Sequence, residues 1–519
     1  MVGPQKRVSK VRVMYKGMYL LLLASSVIYS FDYDVIVIGG GSAGIEVARI
    51  ASDLDIKVAI IEKGQLGGSS IRYGDLPSKL LARLSALAYK VNSLSDIYSV
   101  SNRNEAHWSM KPNKNFFDYI KKRVQEVSGL RLDFLEKSNN VKVLYGVCSF
   151  IDSHTVRVGG KTYRGNHIIV ATGSHPLVEE IDGIQELDSS RCCVADTFFD
   201  LEEIPRSVVI VGGGATGVEF ATALNRLGCK VTLVMRHPMI LPFCDFEVVN
   251  YLMQLMVEEG ITLLCRHSVT SVEKTAKGIR ARCLSMMGDA LDVEAELIFV
   301  AAGRRPNLAH LNLDAAKVSY NSFGIKVDEY LRTTAENIYA CGDAADSTNL
   351  KLTRLAYYHA RTVMHNICKT SLFNPPHDVN YLNVSRVVYG CYTLAHAGLT
   401  EQDARRLYGN KIRIYKYPYQ SIDKAYVEGT TKGMAKFICS YDGRLIGVHI
   451  LGDFAEHLVD AMRIGASFDD KHTNGLDELR VSPSYFDLAA KAVYDAMSDV
   501  RIPWWRTQLR ALGDWLHSF

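Results

Sequence analysis

The chain alternates short, unbroken apolar runs with longer stretches in which apolar residues recur every third or fourth position. The runs are Val35-Ile36-Val37-Ile38, Val58-Ala59-Ile60-Ile61, Ile168-Ile169-Val170, Val208-Val209-Ile210-Val211, Val231-Thr232-Leu233-Val234 and Ile298-Phe299-Val300. Short β-branched runs without polar alternation predict strands buried on both faces, as in a parallel sheet covered by helices. Helical patterns fill 44–52, 80–91 and 116–137, and strand and hairpin material spans 141–158. Strand, helix and strand in succession predict an α/β fold.

Two of the runs open onto glycines. Gly39-Gly40-Gly41-Ser42-Ala43-Gly44 follows the first strand, and the next strand ends at Glu62. Gly39 allows the tight turn, Gly41 lets the backbone approach a pyrophosphate, and Gly44 lets the helix pack on the strand. Glu62 is placed to accept the ribose hydroxyls, and the helix N-terminus faces the phosphates. A lone glycine triplet is weak; within a complete βαβ unit it is specific. The arrangement recurs at Gly212-Gly213-Gly214-Ala215-Thr216-Gly217, predicting a second dinucleotide site. Its following strand ends in Met235-Arg236-His237, which has no acid for a 2′-hydroxyl and two candidate cations for a 2′-phosphate.

Composition narrows the class. A length of 519 residues predicts about three domains, and a formal charge of +4 leaves no nucleic-acid footprint. The eleven cysteines are scattered without zinc-like spacing, so no metal site is expected and a reducing, cytoplasmic setting is favoured. Adjacent Cys192-Cys193 could form a strained redox pair, but their place in a surface loop before a strand favours an unpaired structural role. Residues 1–30 place Lys6, Arg7, Lys10, Arg12 and Lys16 before an uncharged run from Met18 to Tyr29. That order suits a secretory signal or anchor, although the run is short for a membrane span. A true start at Met14 or Met18 is the competing reading. Trp505, Leu509, Leu512, Leu516 and Phe519 share one face of a helix opening at Pro503, with Arg506 and Arg510 opposite. Such a helix suits a peripheral membrane contact or packing back on its own dimer.

Between the two fingerprints stands Gly67-Gly68-Ser69-Ser70-Ile71-Arg72-Tyr73-Gly74-Asp75-Leu76-Pro77-Ser78-Lys79. The chain from about 32 to 500 resembles the class I pyridine-nucleotide–disulfide oxidoreductases, the family of dihydrolipoamide dehydrogenase, glutathione reductase and mercuric reductase. In that family this segment reads Gly-Gly-Thr-Cys, four residues, Cys, then an apolar residue and Pro-Ser-Lys. Further matches are Ala171-Thr172-Gly173, Gly303-Arg304-Arg305-Pro306-Asn307, Thr333 through Asp343 with Lys351-Leu352-Thr353-Arg354-Leu355-Ala356 fitting the helix that follows, and Ala397-Gly398-Leu399-Thr400-Glu401. The resemblance implies two Rossmann-like domains, for FAD and NAD(P), and a C-terminal α+β dimerisation domain. It divides the chain into an extension (1–30), an FAD-binding domain (31–188 and 309–378), an NAD(P)-binding domain (189–308), a dimerisation domain (379–500) and an amphipathic C-terminal helix (501–519).

The resemblance also assigns roles. FAD would be held by Gly39, Gly41, Gly44, Glu62, Gly68, Lys79, Thr172, Gly173, Gly342 and Asp343. NADPH or NADH would be held by Gly212, Gly214, Gly217, Glu219, Arg236, His237 and Gly303. Lys79 and Glu219 match the family's ion pair beside the flavin, which could equally be a buried structural pair. Glutathione reductase carries a gating tyrosine at the position of Ala215, so alanine implies an open nicotinamide pocket. The family's second arginine for a 2′-phosphate has no counterpart in Leu241-Pro242-Phe243. Gly217, where NADP enzymes often carry alanine, points the other way.

Four catalytic positions depart from the family. Ser70 and Asp75 stand where its two cysteines do, Ser482 replaces the histidine of His-Pro-Thr-x-x-Glu, and Asp487 shortens its glutamate. Serine and aspartate cannot form a disulfide, and without the imidazole the usual proton relay is missing. The expectation is a homodimeric FAD-dependent NAD(P)H oxidoreductase that passes electrons to a small non-disulfide acceptor, such as a nicotinamide nucleotide or quinone. Soluble pyridine-nucleotide transhydrogenase, which belongs to the family and lacks the intact disulfide, is the precedent. The alternative is a flavin-binding, non-catalytic dimer serving as scaffold or regulator.

Overall fold

A computed structural model describes residues 31–93, 111–178, 181–348, 350–368, 375–381, 384–465 and 482–500. The N-terminal extension and the C-terminal helix expected from sequence lie outside the described residues.

The first sheet orders its parallel strands Val141–Tyr145, Val58–Glu62, Tyr33–Ile38, Lys161–Val170 and Ile338–Ala340. Both faces are covered, which accounts for the unbroken apolar runs. Val35, Val37 and Ile60 pack against helices Ser42–Asp53 and Thr353–Cys368, while Ile36, Ile38 and Ile61 face the opposite core. A hairpin, Cys148–Phe150 and Thr155–Val158, continues antiparallel from Lys161–Val170. Ile338–Ala340 returns to this sheet from far along the chain, so the second dinucleotide fold is an insertion in the first.

That second sheet runs Thr262–Cys265, Lys230–Met235, Ser207–Val211, Leu297–Val300 and Cys192–Val194, all parallel. Val208 and Ile210 pack beneath helices Ala215–Arg226 and Phe246–Glu258, and Val209 faces a three-stranded antiparallel sheet. Phe198, Phe220 and Phe299 cluster here, Phe220 and Phe299 stacked 4.4 Å apart and Phe198 edge-on to both. Phe117, from helix Phe116–Lys137, joins the cluster and ties the two dinucleotide folds together. A third sheet, Arg386–Tyr389, Thr393–Gly398, Leu445–Leu451, Met434–Ser440 and Ile412–Pro418, is wholly antiparallel.

Three sequence expectations need correction. Cys192 and Cys193 form an edge strand, with Ile298 opposite Cys192, rather than a surface loop. A three-residue strand is too short to show a period, and burial pushes the Cys193 thiol well up. The helix expected from Leu80 begins at Asp75, because Pro77 sits in the first turn, where its missing N–H is not needed. Lys351 and Leu352 precede the helix that was expected to include them, since it begins at Thr353.

The second and third units are joined by buried charge. Lys436 Nζ lies 2.8 Å from Asp245, 3.0 Å from Glu247 and 2.7 Å from Glu401. Asp245 is fully buried and accepts from the amides of both Glu247 and Glu401, so one carboxylate serves the first turns of two helices from different units. Burial opposes all these charges, but Lys436, preceded by Lys416 at Glu247 and joined by Arg405 at Glu401, outweighs it and holds Asp245, Glu247 and Glu401 below their usual carboxylate values. Carboxylates depressed in the folded state contribute stability above about pH 4, which is lost as pH falls through the lowered values. Lys436→Met should cost about 3–5 kcal/mol at pH 7, read as an earlier urea midpoint. The deficit should shrink as the buffer is taken below pH 4, where the stranded carboxylates neutralise.

Candidate active site

The first fingerprint is built as its glycines require. A Cβ on Gly44 would lie 1.9 Å from the Gly39 carbonyl oxygen, so helix Ser42–Asp53 packs on its strand only with glycine there. A Cβ on Gly68, whose φ is +62°, would lie 2.7 Å from the Cα of Gly41, so the redox-segment backbone touches the phosphate-facing turn. Glu62 ends the second strand with both oxygens in use, accepting from the amides of Gly40 and Gly64 at 2.7 Å. These bonds fix the carboxylate on the wall of a cleft of about 620 Å3, which Gly39, Gly146, Thr172 and Asn307 also line. Ser42 Oγ and Thr172 Oγ1 are buried without a protein hydrogen-bond partner. Buried polar atoms seldom stay unpaired; Thr172 lines the cleft and Ser42 opens the helix after the Gly39–Gly41 turn, so both fit a ligand held at that turn.

A further chain of polar groups ties Asp343 to the two crossover segments. Asp343 accepts from Ser174 Oγ at 2.6 Å, and Ser174 in turn accepts from Arg304 Nε at 2.8 Å. Lys351 Nζ donates to the Asp343 carbonyl at 2.9 Å, and Gly342 donates its amide to the buried His359 at 3.1 Å. Burial holds His359 neutral, its pKa lowered to about 4. Gly173 lies at the first crossover between the folds, and its carbonyl accepts from Asn307 N. Gly303 lies at the second, its carbonyl bonded to Leu177 N.

The second fingerprint repeats the first. A Cβ on Gly217 would meet the Gly212 oxygen at 1.8 Å, while Gly214 has open space before it. Gly214, Ala215 and Thr216 are exposed at the helix N-terminus, and Arg236 and His237 are exposed at the end of the neighbouring strand.

Between the fingerprints the structure joins Lys79 to Glu219. Lys79 Nζ donates to both carboxylate oxygens, at 2.9 and 3.0 Å, linking helix Asp75–Ser93 to helix Ala215–Arg226. Tyr389 donates its amide to Glu219 Oε1 at 3.0 Å, and its ring centroid lies 5.3 Å from Lys79 Nζ. Burial pulls the lysine's pKa down, but Glu219 and then Asp75, whose Oδ1 is 3.8 Å away, outweigh it and hold the ammonium above its ordinary value. Lys79 is therefore a fixed positive charge at neutral pH.

At the family's two cysteine positions, Ser70 Oγ donates to Asp75 Oδ2 at 3.2 Å and lies 2.7 Å from Thr353 Oγ1. A hydrogen-bonded pair stands in the frame of the disulfide. Ser482 is exposed, and Asp487 accepts from the amide of Ser484 as a local helix cap. Tyr389 and His359 had no signal in the sequence. Each reaches the site across more than a hundred residues of chain or from an unremarkable helix position.

Two dinucleotide fingerprints, with an ion pair joining helix Asp75–Ser93 to the helix of the second, mark a flavin- and nicotinamide-dependent oxidoreductase. Residues 33–360 match the family described as pyridine nucleotide-disulphide oxidoreductase, and residues 384–484 match its dimerisation domain; the chain belongs to that family. Its members use FAD and NAD(P)H. Dihydrolipoamide dehydrogenase of Chaetomium thermophilum is 31% identical over 455 residues, covering 85% of this chain and 87% of that one. Soluble pyridine nucleotide transhydrogenase of Mycobacterium tuberculosis is 29% identical over 491 residues, covering 91% and 98%. Among solved structures, the HOCl-induced flavoprotein disulfide reductase RclA from Escherichia coli shares the fold, with a TM-score of 0.77 at 23% identity over 90% of this chain and 99% of that one. No helix among the described residues is long and apolar enough to cross a membrane.

Lys79→Met should strand the buried Glu219 carboxylate and cost about 3 kcal/mol in a urea melt. Adding Glu219→Leu should restore most of that stability, since the penalty belongs to the unpaired charge.

Proposed function

We propose that this protein is an FAD-dependent NAD(P)H oxidoreductase that delivers electrons to a small acceptor other than a disulfide. The observation carrying this reading is the Ser70–Asp75 hydrogen bond in the place of the redox pair, beside an intact Lys79–Glu219 pair. A disulfide needs two thiols and reacts through a thiolate, and this segment offers a hydroxyl and a carboxylate. FAD, when bound, accepts hydride equivalents from NAD(P)H and hands electrons onward.

The residues support the parts of this reaction that do not need thiols. Glu62 and the Gly39–Gly44 turn fit one dinucleotide, and the Gly212–Gly217 turn fits the other. Glu219 holds the Lys79 ammonium in position, and a lysine kept protonated supplies charge rather than a proton. Ser482 offers no imidazole, so the acceptor must take electrons without the family's histidine relay. A nicotinamide nucleotide takes hydride alone and meets that demand most simply. The similarity to proteins named soluble pyridine nucleotide transhydrogenase supports it, as does the small side chain of the exposed Ala215. The dimerisation-domain match supports a homodimer.

An acceptor panel tests the proposal. With NADPH or NADH as donor, the FAD-loaded protein should reduce thionicotinamide nucleotides or quinones. It should leave lipoamide and glutathione disulfide unreduced. Turnover with either disulfide would overturn the reading, as would failure with every acceptor.

A further inference from the structure

Strands Lys230–Met235 and Thr262–Cys265 end side by side, with Met235 opposite Cys265 in the parallel register. The next residue on each strand is arginine, Arg236 on one and Arg266 on the other. Arg266 has a left-handed backbone, φ +58°, uncommon for a residue with a long side chain. Its amide donates to the His237 carbonyl at 3.1 Å, and its own carbonyl accepts from Met286 N at 3.0 Å. The two strand ends are thereby stitched into one edge on which Arg236, His237 and Arg266 are all exposed.

That edge is the carboxyl end of a parallel sheet, next to the N-terminus of helix Ala215–Arg226, where such folds bind dinucleotides. A site for a ribose 2′-hydroxyl carries an acid at this strand end, and a site for a 2′-phosphate carries cations. Residues 236–240 read Arg-His-Pro-Met-Ile, without an acid. The second arginine expected a few residues further on is absent, and Leu241 there is buried. Arg266 adds a third basic residue to the same edge from a different strand, thirty residues later, where only the register discloses it.

We propose that Arg266 completes, with Arg236 and His237, a 2′-phosphate site that selects NADPH over NADH. The inference deepens the proposed function and rests on its nicotinamide donor, but binding alone can test it. Calorimetry on the full-length, FAD-loaded protein would compare adenosine 2′,5′-bisphosphate with 5′-AMP. The bisphosphate should bind at least about tenfold more tightly, as expected of charge-assisted bonds to phosphate.

Arg266→Asn keeps a residue suited to the left-handed backbone and removes the charge. It should lower the bisphosphate-to-AMP affinity ratio about tenfold. Arg266→Lys should retain part of that ratio, and unchanged flavin content would show that both variants fold. Equal affinity for the two nucleotides in the native chain would overturn the proposal, as would an Arg266→Asn variant with an undiminished ratio. Selective bisphosphate binding by a protein whose flavin no nicotinamide nucleotide reduces would leave the Arg266 site standing and sink the proposed reaction.

Discussion

The ion pair between Lys79 and Glu219 is the constraint on which the site depends. It joins one helix from each dinucleotide fold, and a third unit reaches it through the amide of Tyr389. Its surroundings make it compulsory rather than optional. Glu219 is almost wholly buried, and a carboxylate there without its ammonium would be left in a medium that cannot solvate it. At the far end of the same two helices, Arg226 is paired with Glu259 and stacks 4.1 Å from the ring of Tyr89. The helices are thus tied at both ends, and the Tyr389–Tyr392 segment touches both ties. Lys436 and its three carboxylates then fix the third unit to the second.

Within that rigid setting the substitutions sort cleanly. The residues that the family resemblance assigns to a cofactor cradle are all in place: glycines where a Cβ would strike backbone, Glu62 at its strand end, Asp343 in its bonded chain. What performs thiol chemistry has been replaced. Ser70 and Asp75 keep a polar link between their positions, and Ser70 adds a contact to Thr353 at the start of the helix Thr353–Cys368. The segment still packs against the Gly41 turn through Gly68, so its packing role is intact. Asp75 adds a negative charge beside Lys79, which helps to keep that lysine protonated.

Much of the fold was legible because local pattern and local structure coincide. Val208–Val211 followed by glycines could only be a strand feeding a tight turn and helix, and helix Phe116–Lys137 has the very bounds that its pattern announces. The family resemblance located Lys79 and Glu219, and the structure shows them in contact. The features that escaped notice are those fixed by long-range pairing. Arg266 gains its meaning from its amide bond to His237 at the end of the neighbouring strand, and Tyr389 from a bond to a residue 170 positions away. Cys192 and Cys193 were misread because an edge strand of three residues is made by its neighbour, Leu297–Val300, rather than by its own period.

The central claim is that electrons in this protein rest on the flavin alone. An anaerobic titration of the FAD-loaded protein with NADPH, followed by flavin absorbance, tests it most directly. Bleaching should be complete at one equivalent per flavin, with no long-wavelength band from a thiolate beside the flavin. Uptake of a second equivalent, or the appearance of that band, would show a working dithiol and contradict the account.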